Sequence, residues 1–317
     1  MILPTIAKML VQEHRFRPIT GRVLCLGPQL VGMHKGQVDS LCAESPEEAS
    51  RAMALWREAG ADTSRVDDKY FFSKFPISEL DSLDVVEGFG GTFIHDLNKP
   101  LSEEHHNKFD FILDGGTFDH LVQIGTAFKS VAQMLKPGGR VFHYNAASGY
   151  IGAAYVSFGP DLFYDYYVVN RFEDCRIHLL RGTGPHANDP FYIFYLPDAR
   201  TKKLNSAMHQ MVVCLAEKAF DGTSTCDVLP VEYTYRDQTM GEAFTRERVR
   251  ILKNSKRPML TCDRPWLSTI RETIKKTKIE AGYAVERWRA NKFLWWKFRR
   301  DRKLHKAGTS YAYLGRL

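Results

Sequence analysis

The feature that most constrains the fold is a repeated alternation of short apolar runs with segments of helical pattern. The runs are rich in Val, Ile, Leu and Phe, and several of them end at a glycine or an aspartate. This alternation predicts an α/β domain with a mostly parallel sheet flanked by helices. The predicted strands are residues 22–26, 82–86, 92–95, 109–113, 140–144, 191–195 and 211–216, and the predicted helices are residues 2–14, 46–59 and 120–135.

A glycine or an aspartate lies at or near the end of each of the first four predicted strands. Gly27 follows the first strand, Asp84 lies in the second, and Asp96 and Asp114 follow the next two. Ligands of open α/β sheets bind at the carboxyl ends of the strands. An ionised carboxylate only accepts hydrogen bonds and can take both hydroxyls of a ribose. Each carboxylate taken alone is also consistent with a loop or helix-cap residue, but their order along the chain favours a binding site.

Four sequence strings carry a family resemblance. They are FDFILDGG (109–116), MLKPGGRVF (134–142), HDLN (95–98) and FGPDLF (158–163). In these strings the chain resembles class I S-adenosylmethionine-dependent methyltransferases, and in particular methyltransferase-like proteins encoded beside bacterial surface-glycan genes. The resemblance covers about residues 1–218. It implies a Rossmann-like fold with a seven-stranded sheet in the order 3-2-1-4-5-7-6, the last strand to enter being antiparallel.

The resemblance also implies roles for individual residues. Gly27 would mark the turn beneath the cofactor S-adenosylmethionine, and Asp84 would hold the ribose hydroxyls. Asp96 would meet the adenine amino group, and Asp114 would lie beside the methionine moiety or the transferred methyl group. The implied activity is methyl transfer, and we expect the acceptor to be a hydroxyl of a glycan or of another small polar molecule.

Two positions depart from the family pattern. Cys25 stands where the first strand usually carries an acidic residue, and Gln29 replaces the second glycine of the usual turn. The first change removes an anchor for the cofactor's amino group or the turn backbone, and the second narrows the space for the cofactor. The alternative hypothesis is therefore a non-catalytic binding or scaffold protein on the same fold.

The candidate catalytic residues are Asp114, His120 and His143. His120 follows Asp119, and His143 lies at the end of the fifth strand, at the expected mouth of the site. A histidine is suited to deprotonating a hydroxyl near neutral pH. The alternative for His120 is a helix-start residue bonded to backbone, and for His143 a structural side chain near the sheet edge. No metal site is predicted, because His105 and its neighbour lack a third ligand nearby.

Residues 150–167 are unusually aromatic. Aromatic side chains commonly line ligand pockets, so this stretch is a candidate acceptor pocket. Packing in a lid or in the core would explain the same composition. The sequence leaves both interpretations open.

Charge divides the 317-residue chain into two parts. The net charge is +7, but residues 245–317 hold 21 Lys and Arg against 6 Asp and Glu, so the remainder is mildly acidic. We therefore predict a methyltransferase-like domain (1–218), a connector (219–244) and a basic, mainly helical extension (245–317). Basic and aromatic residues alternate in 287–306, so segment 263–306 could contact an anionic membrane surface, follow nucleic acid phosphates, or pack on the body.

The six cysteines are scattered singly, without a CxxC pair. This spacing excludes zinc-ribbon and thioredoxin-like motifs and favours a reducing compartment. We expect a cytoplasmic protein, with the inner face of the membrane as the site of any peripheral contact.

Overall fold

The computed structural model describes residues 1–88, 90–181, 191–194 and 209–227. The basic extension 245–317, its segment 263–306 and most of the connector lie outside the described residues. The predictions made for them therefore remain predictions. The same holds for the last residue of the predicted strand 191–195.

The described residues form six α-helices and ten strands. The helices are α1 (Pro4–Phe16), α2 (Lys35–Cys42), α3 (Pro46–Glu58), α4 (Asp68–Phe72), α5 (Ile124–Met134) and α6 (Pro160–Val169). The strands are β1 (Gly21–Leu26), β2 (Leu30–His34), β3 (Arg65–Asp67), β4 (Ile77–Asp84), β5 (Phe93–Ile94), β6 (Phe109–Asp114), β7 (Leu135–Ser148), β8 (Glu173–Arg181), β9 (Phe191–Phe194) and β10 (Gln210–Glu217).

The main sheet has the order β5-β4-β1-β6-β7-β10-β8-β9. Pairing is parallel from β5 to β7, whereas β10 is antiparallel to both β7 and β8. Apart from β9, this is the 3-2-1-4-5-7-6 order, so the predicted Rossmann-like methyltransferase fold is confirmed. The sheet of the described residues has eight strands and not the predicted seven, because β9 extends the edge beside β8.

The register aligns the carboxyl ends of the central strands. Leu26 at the end of β1 lies opposite both Leu83 of β4 and Asp114 of β6. Asp114 in turn lies opposite His143 of β7. The candidate residues on these strands consequently stand in one row along the carboxyl edge of the sheet.

Helices α5 and α6 cover one face of the sheet with a large apolar cluster. Leu24 and Leu26 of β1 belong to this cluster, together with Phe128 of α5 and Phe163 of α6. Neighbouring residues of a strand point to opposite faces, and the intervening β1 residues are equally buried. Both faces of β1 are thus covered, as expected for a parallel strand.

The predicted helices correspond to α1, α3 and α5, with shifted ends. Ser45 caps α3, its hydroxyl accepting from the Glu48 amide at 3.1 Å. The Glu48 carboxylate accepts from the Glu44 amide. The third helix begins at Ile124 and not at His120, which lies in a preceding 3-10 turn.

Candidate functional site

The turn after β1 is open on its outer side. Gly27 has φ +81°, a left-handed conformation that favours glycine, and its amide donates to the Leu83 carbonyl at 2.7 Å. A Cβ atom at Gly27 would have no neighbour closer than 3.6 Å. The Thr117 hydroxyl donates to the Leu26 carbonyl at 2.5 Å and so ties this turn to the loop after β6.

Gln29 fills the space beside this turn on the β6 side. Its Nε2 donates to the Gly27 carbonyl at 3.0 Å, and its backbone amide donates to Oδ2 of Asp68 at 2.7 Å. Its Oε1 accepts from the Tyr144 hydroxyl at 3.3 Å. A Cβ atom at Gly115 would lie only 2.4 Å from that same oxygen. The Gln29 side chain thus occupies the space between this turn and Gly115.

Cys25 is fully buried in β1, and burial raises the pKa of its thiol well above the usual value. A neutral thiol cannot anchor an amino group as a carboxylate would. The backbone of the turn is instead held by the Thr117 hydroxyl and the Gln29 amide group.

Asp84 ends β4 with a half-buried carboxylate. Its Oδ1 accepts from the amide of Val85 at 2.7 Å and more weakly from that of Val86 at 3.4 Å. These two valines are 57% and 46% exposed, which is unusual for large apolar side chains. The strand end thus presents a fixed carboxylate next to an open apolar surface.

Asp96 and Asn98 connect the loop after β5 to the start of α5. Oδ1 of Asp96 accepts from the backbone and side-chain nitrogens of Asn98, both at 3.0 Å. These hydrogen bonds lower the pKa of Asp96, and Lys99 adds to the effect. The Asn98 side-chain oxygen accepts from the amides of Val122 and Gln123 at 2.9 and 3.0 Å. Val122 is 64% exposed and extends the apolar surface.

Asp114 is fully buried, and both of its oxygens have partners inside the protein. Oδ1 accepts from the Thr117 amide at 2.9 Å and from the Phe118 amide at 3.4 Å. Oδ2 accepts from Nδ2 of Asn145 at 2.7 Å and lies 2.8 Å from Nδ1 of His143. Asp114 therefore fixes the turn after β6.

His143 is equally buried, beneath the rings of Phe118 and Phe163. Its Nε2 lies 2.5 Å from the Tyr167 hydroxyl. Burial raises the pKa of Tyr167 well above its usual value, so the hydroxyl stays protonated and donates to Nε2. Nδ1 then carries the hydrogen that is donated to Asp114.

The catalytic roles predicted for Asp114 and His143 do not fit this geometry. The structure brings the two residues together, but neither side chain has an exposed surface, and their hydrogen-bonding atoms are engaged within the protein. The pair holds β6, β7 and α6 in register and positions the turn above it. The structural alternative stated for His143 is the one that its surroundings support.

His120 is exposed at the end of its 3-10 turn, and its neighbour Asp119 is only 7% exposed. Oδ1 of Asp119 accepts from the Ala146 amide at 2.9 Å. Burial is the main cause that raises the pKa of Asp119 to about 7, with a further contribution from Asp114. In the sequence Asp119 stands out only as the residue before His120, and its burial is not predictable from that position.

The aromatic stretch is mostly core. Tyr155 is 75% exposed, whereas Phe158 and Tyr166 are buried and line a pocket of about 330 Å³ between the first turns of α5 and α6. The remaining pocket residues are Ile124, Gly125, Phe128, Val156, Ser157, Gly159, Leu162 and Asp227. Three further aromatic residues, Phe163, Tyr164 and Tyr167, are packed in the interior.

Two negative findings concern the described residues alone. They contain no group of three His, Cys, Asp or Glu side chains placed to hold a metal ion. They also contain no helix that is both long and apolar enough to cross a membrane.

Three solved structures illustrate what the chain is similar to. Phosphoethanolamine N-methyltransferase 2 of Haemonchus contortus, in complex with S-adenosyl-L-methionine, is 13% identical with a TM-score of 0.36, over 66% of this chain and 52% of that one. YcgJ of Bacillus subtilis is 11% identical with a TM-score of 0.38, over 67% and 98%. A possible histamine N-methyltransferase of Thermotoga maritima is 12% identical with a TM-score of 0.37, over 68% and 90%.

The chain has the class I methyltransferase fold. The strand order and the antiparallel β10 assign it. The chain spans about half the length of the Haemonchus enzyme. No protein-family model matches the chain, and no curated protein matches its sequence.

Proposed function

We propose that the chain is an S-adenosylmethionine-dependent methyltransferase that binds its cofactor across the carboxyl edge of β1, β4 and β5. The observation that carries the proposal is the fixed carboxylate of Asp84 beside the open turn at Gly27. Two hydroxyls of a ribose are donors that such a carboxylate accepts. The exposed side chains of Val85 and Val122 would offer apolar contacts for the faces of a purine. In this proposal Asp96 accepts a hydrogen bond from the amino group of the purine.

The methionine end of the cofactor would extend toward β6 and β7, where Gln29 and Tyr144 lie. Bound there, the cofactor supplies a methyl carbon attached to a positively charged sulfur. The chain contributes orientation of the two reactants, which removes much of the entropic cost of their meeting. Gln29 lies against Gly115 and shapes this end of the site.

For the acceptor we propose a hydroxyl of a glycan or of another small polar molecule. Tyr155 supports this class of acceptor, because its ring is exposed and its backbone amide donates to the Asp119 carbonyl at 2.9 Å, beside the turn after β6. An exposed aromatic ring provides a face for a ring-shaped acceptor.

Calorimetric titration of the full chain with S-adenosylmethionine and S-adenosylhomocysteine tests the proposal. ATP and free methionine are the matched controls, because each carries only one half of the cofactor's recognition groups. We expect both cofactor forms to bind at micromolar concentration and each control to bind at least tenfold more weakly. Absence of binding at millimolar cofactor would refute the proposed function.

One observation favours a second candidate, a non-catalytic scaffold protein: Gln29 occupies the space beside Gly115 that a glycine at position 29 would leave open. Such a protein would be cytoplasmic and would act through the basic segment 263–306. This segment would contact an anionic surface at the inner face of the membrane. If cofactor binds only after the change Gln29→Gly, this second candidate is supported in place of the first.

A further inference from the structure

We propose that Asp119 is the proton acceptor of the site and faces the place where the transferred methyl group meets the acceptor. The inference rests on the proposed function and deepens it, since it assigns a role in methyl transfer to a residue that the proposed cofactor site does not use.

The two carboxylate oxygens of Asp119 have different surroundings. Oδ1 accepts from the Ala146 amide at 2.9 Å, near the carboxyl end of β7. Oδ2 has no hydrogen-bond partner among the described residues and is not sealed from solvent. A Cβ atom at Gly116 would lie 3.4 Å from Oδ2, so this oxygen stands directly beside the glycine turn after β6. One oxygen is thus fixed, and the other is available to a ligand.

The backbone of Asp119 holds the acceptor side of the site. Its carbonyl accepts from the amides of Tyr155 and Val156, both at 2.9 Å. The buried Asp114 below it fixes the same turn through the Thr117 amide. The carboxylate, the glycine turn and the exposed Tyr155 ring therefore form one connected unit on the edge where the acceptor would arrive.

The electrostatic surroundings suit a proton acceptor. The pKa of Asp119 is raised to about 7: burial is the largest cause, Asp114 on β6 adds to it, and the hydrogen bond from the Ala146 amide acts in the opposite direction. Tyr144 on β7 also interacts electrostatically with this carboxyl, and burial raises the pKa of its hydroxyl, which therefore stays protonated. Near neutral pH a sizeable fraction of Asp119 is therefore ionised and yet basic enough to accept a proton. His120, its exposed neighbour, is the competing candidate.

The proposed reaction is a methyl transfer to the oxygen of the acceptor. The acceptor oxygen forms a bond to the methyl carbon while the carbon–sulfur bond breaks, and the electron pair of that bond remains on sulfur. The hydroxyl proton passes to Oδ2 of Asp119. The acceptor class is accordingly a group that is protonated on arrival and must lose a proton, as a hydroxyl does.

Carbon-13 NMR of the full chain labelled at its aspartate carboxyl carbons tests the placement of Asp119 without a known acceptor. We expect one carboxyl signal to titrate with a midpoint near pH 7. This signal should be absent in Asp119→Asn and retained in His120→Gln. A nearby positive charge favours the ionised carboxylate, so S-adenosylmethionine should lower the midpoint by about one unit. The uncharged sulfur of S-adenosylhomocysteine should lower it far less.

Linkage gives a second readout by calorimetry. A shift of one unit corresponds to a tenfold change in relative affinity over the whole titration, so the preference for S-adenosylmethionine over S-adenosylhomocysteine should rise about fivefold between pH 6 and pH 8. In Asp119→Asn the rise should be lost, although asparagine still accepts from the Ala146 amide. Asp119→Glu keeps the charge and should retain part of the rise.

Three outcomes would overturn the proposal. Equal midpoints with the two ligands, or a rise that follows His120 in place of Asp119, would refute the role of Asp119 while leaving the methyltransferase intact. Failure of both ligands to bind would refute the proposed function and this inference with it.

Discussion

The side chain of Gln29, in the turn after β1, fills the space that a side chain at Gly115, in the turn after β6, would need. A Cβ atom at position 115 would lie 2.4 Å from Oε1 of Gln29. A side chain at position 115 would therefore force the end of the Gln29 side chain to move. The two residues are far apart in the sequence, one in the turn after β1 and the other in the turn after β6.

This contact makes Gly115→Ala destabilising. We expect a loss of about 1 kcal/mol in the free energy of unfolding, because the Gln29 amide must move and give up its hydrogen bond to the Gly27 carbonyl. In the Gln29→Ala background the same change should cost clearly less, because the opposing oxygen is gone. Urea denaturation of the two single variants and the double variant measures the coupling. Strictly additive losses would show that the two side chains do not share this space.

The buried bond between Tyr167 and His143 is expected to contribute to stability. Tyr167→Phe leaves Nε2 of His143 unpaired and should cost about 1–3 kcal/mol. Tyr166→Phe is the matched control on the same helix. Its hydroxyl is buried without a hydrogen-bond partner among the described residues, so its removal should be neutral or stabilising. Equal losses in the two variants would contradict the hydrogen-bond network derived from the structure.

Asp119 should make stability depend on pH. Its pKa of about 7 in the folded chain lies above that of an unfolded aspartate, so the folded state binds the proton more tightly. Its contribution is fully present below about pH 4 and is lost as the pH rises to 7, with a slope of at most about 1.4 kcal/mol per pH unit. Urea denaturation of the wild type and of Asp119→Asn between pH 4 and 8 should show the free energy of unfolding of the wild type falling, relative to that of the variant, as the pH rises. Parallel curves would exclude the raised pKa.

The carboxyl-edge residues could be predicted because they are local features of strand ends. Gly27, Asp84 and Asp96 each follow or end an apolar run, and the order of those runs implies their neighbourhood. The role of His143 could not be predicted in this way. It depends on Tyr167, which lies 24 residues later on a helix that the pattern did not reveal.

Strand β8 was missed because charged residues interrupt it. Cys175, Ile177 and Leu179 alternate with polar residues and are buried in the apolar cluster, which is the two-residue period of a strand. Among the intervening residues, Arg176 and His178 are also buried, so the polar character of this segment concealed a fully covered strand. Strand β8 is buried because it pairs with β10 on one side and β9 on the other, which the local sequence does not indicate.

The most direct test of the central claim is the affinity of Asp84→Asn for S-adenosylhomocysteine, compared with Glu87→Gln. Asp84 is held at the strand end by its own loop amides, whereas Glu87 is an exposed carboxylate three residues later. Removing a ribose acceptor costs about 1–3 kcal/mol, so calorimetry should show affinity falling by roughly 5- to 150-fold in Asp84→Asn. Glu87→Gln should bind as the wild type does. Unchanged affinity in Asp84→Asn, or an equal loss in both variants, would contradict a cofactor site at this edge.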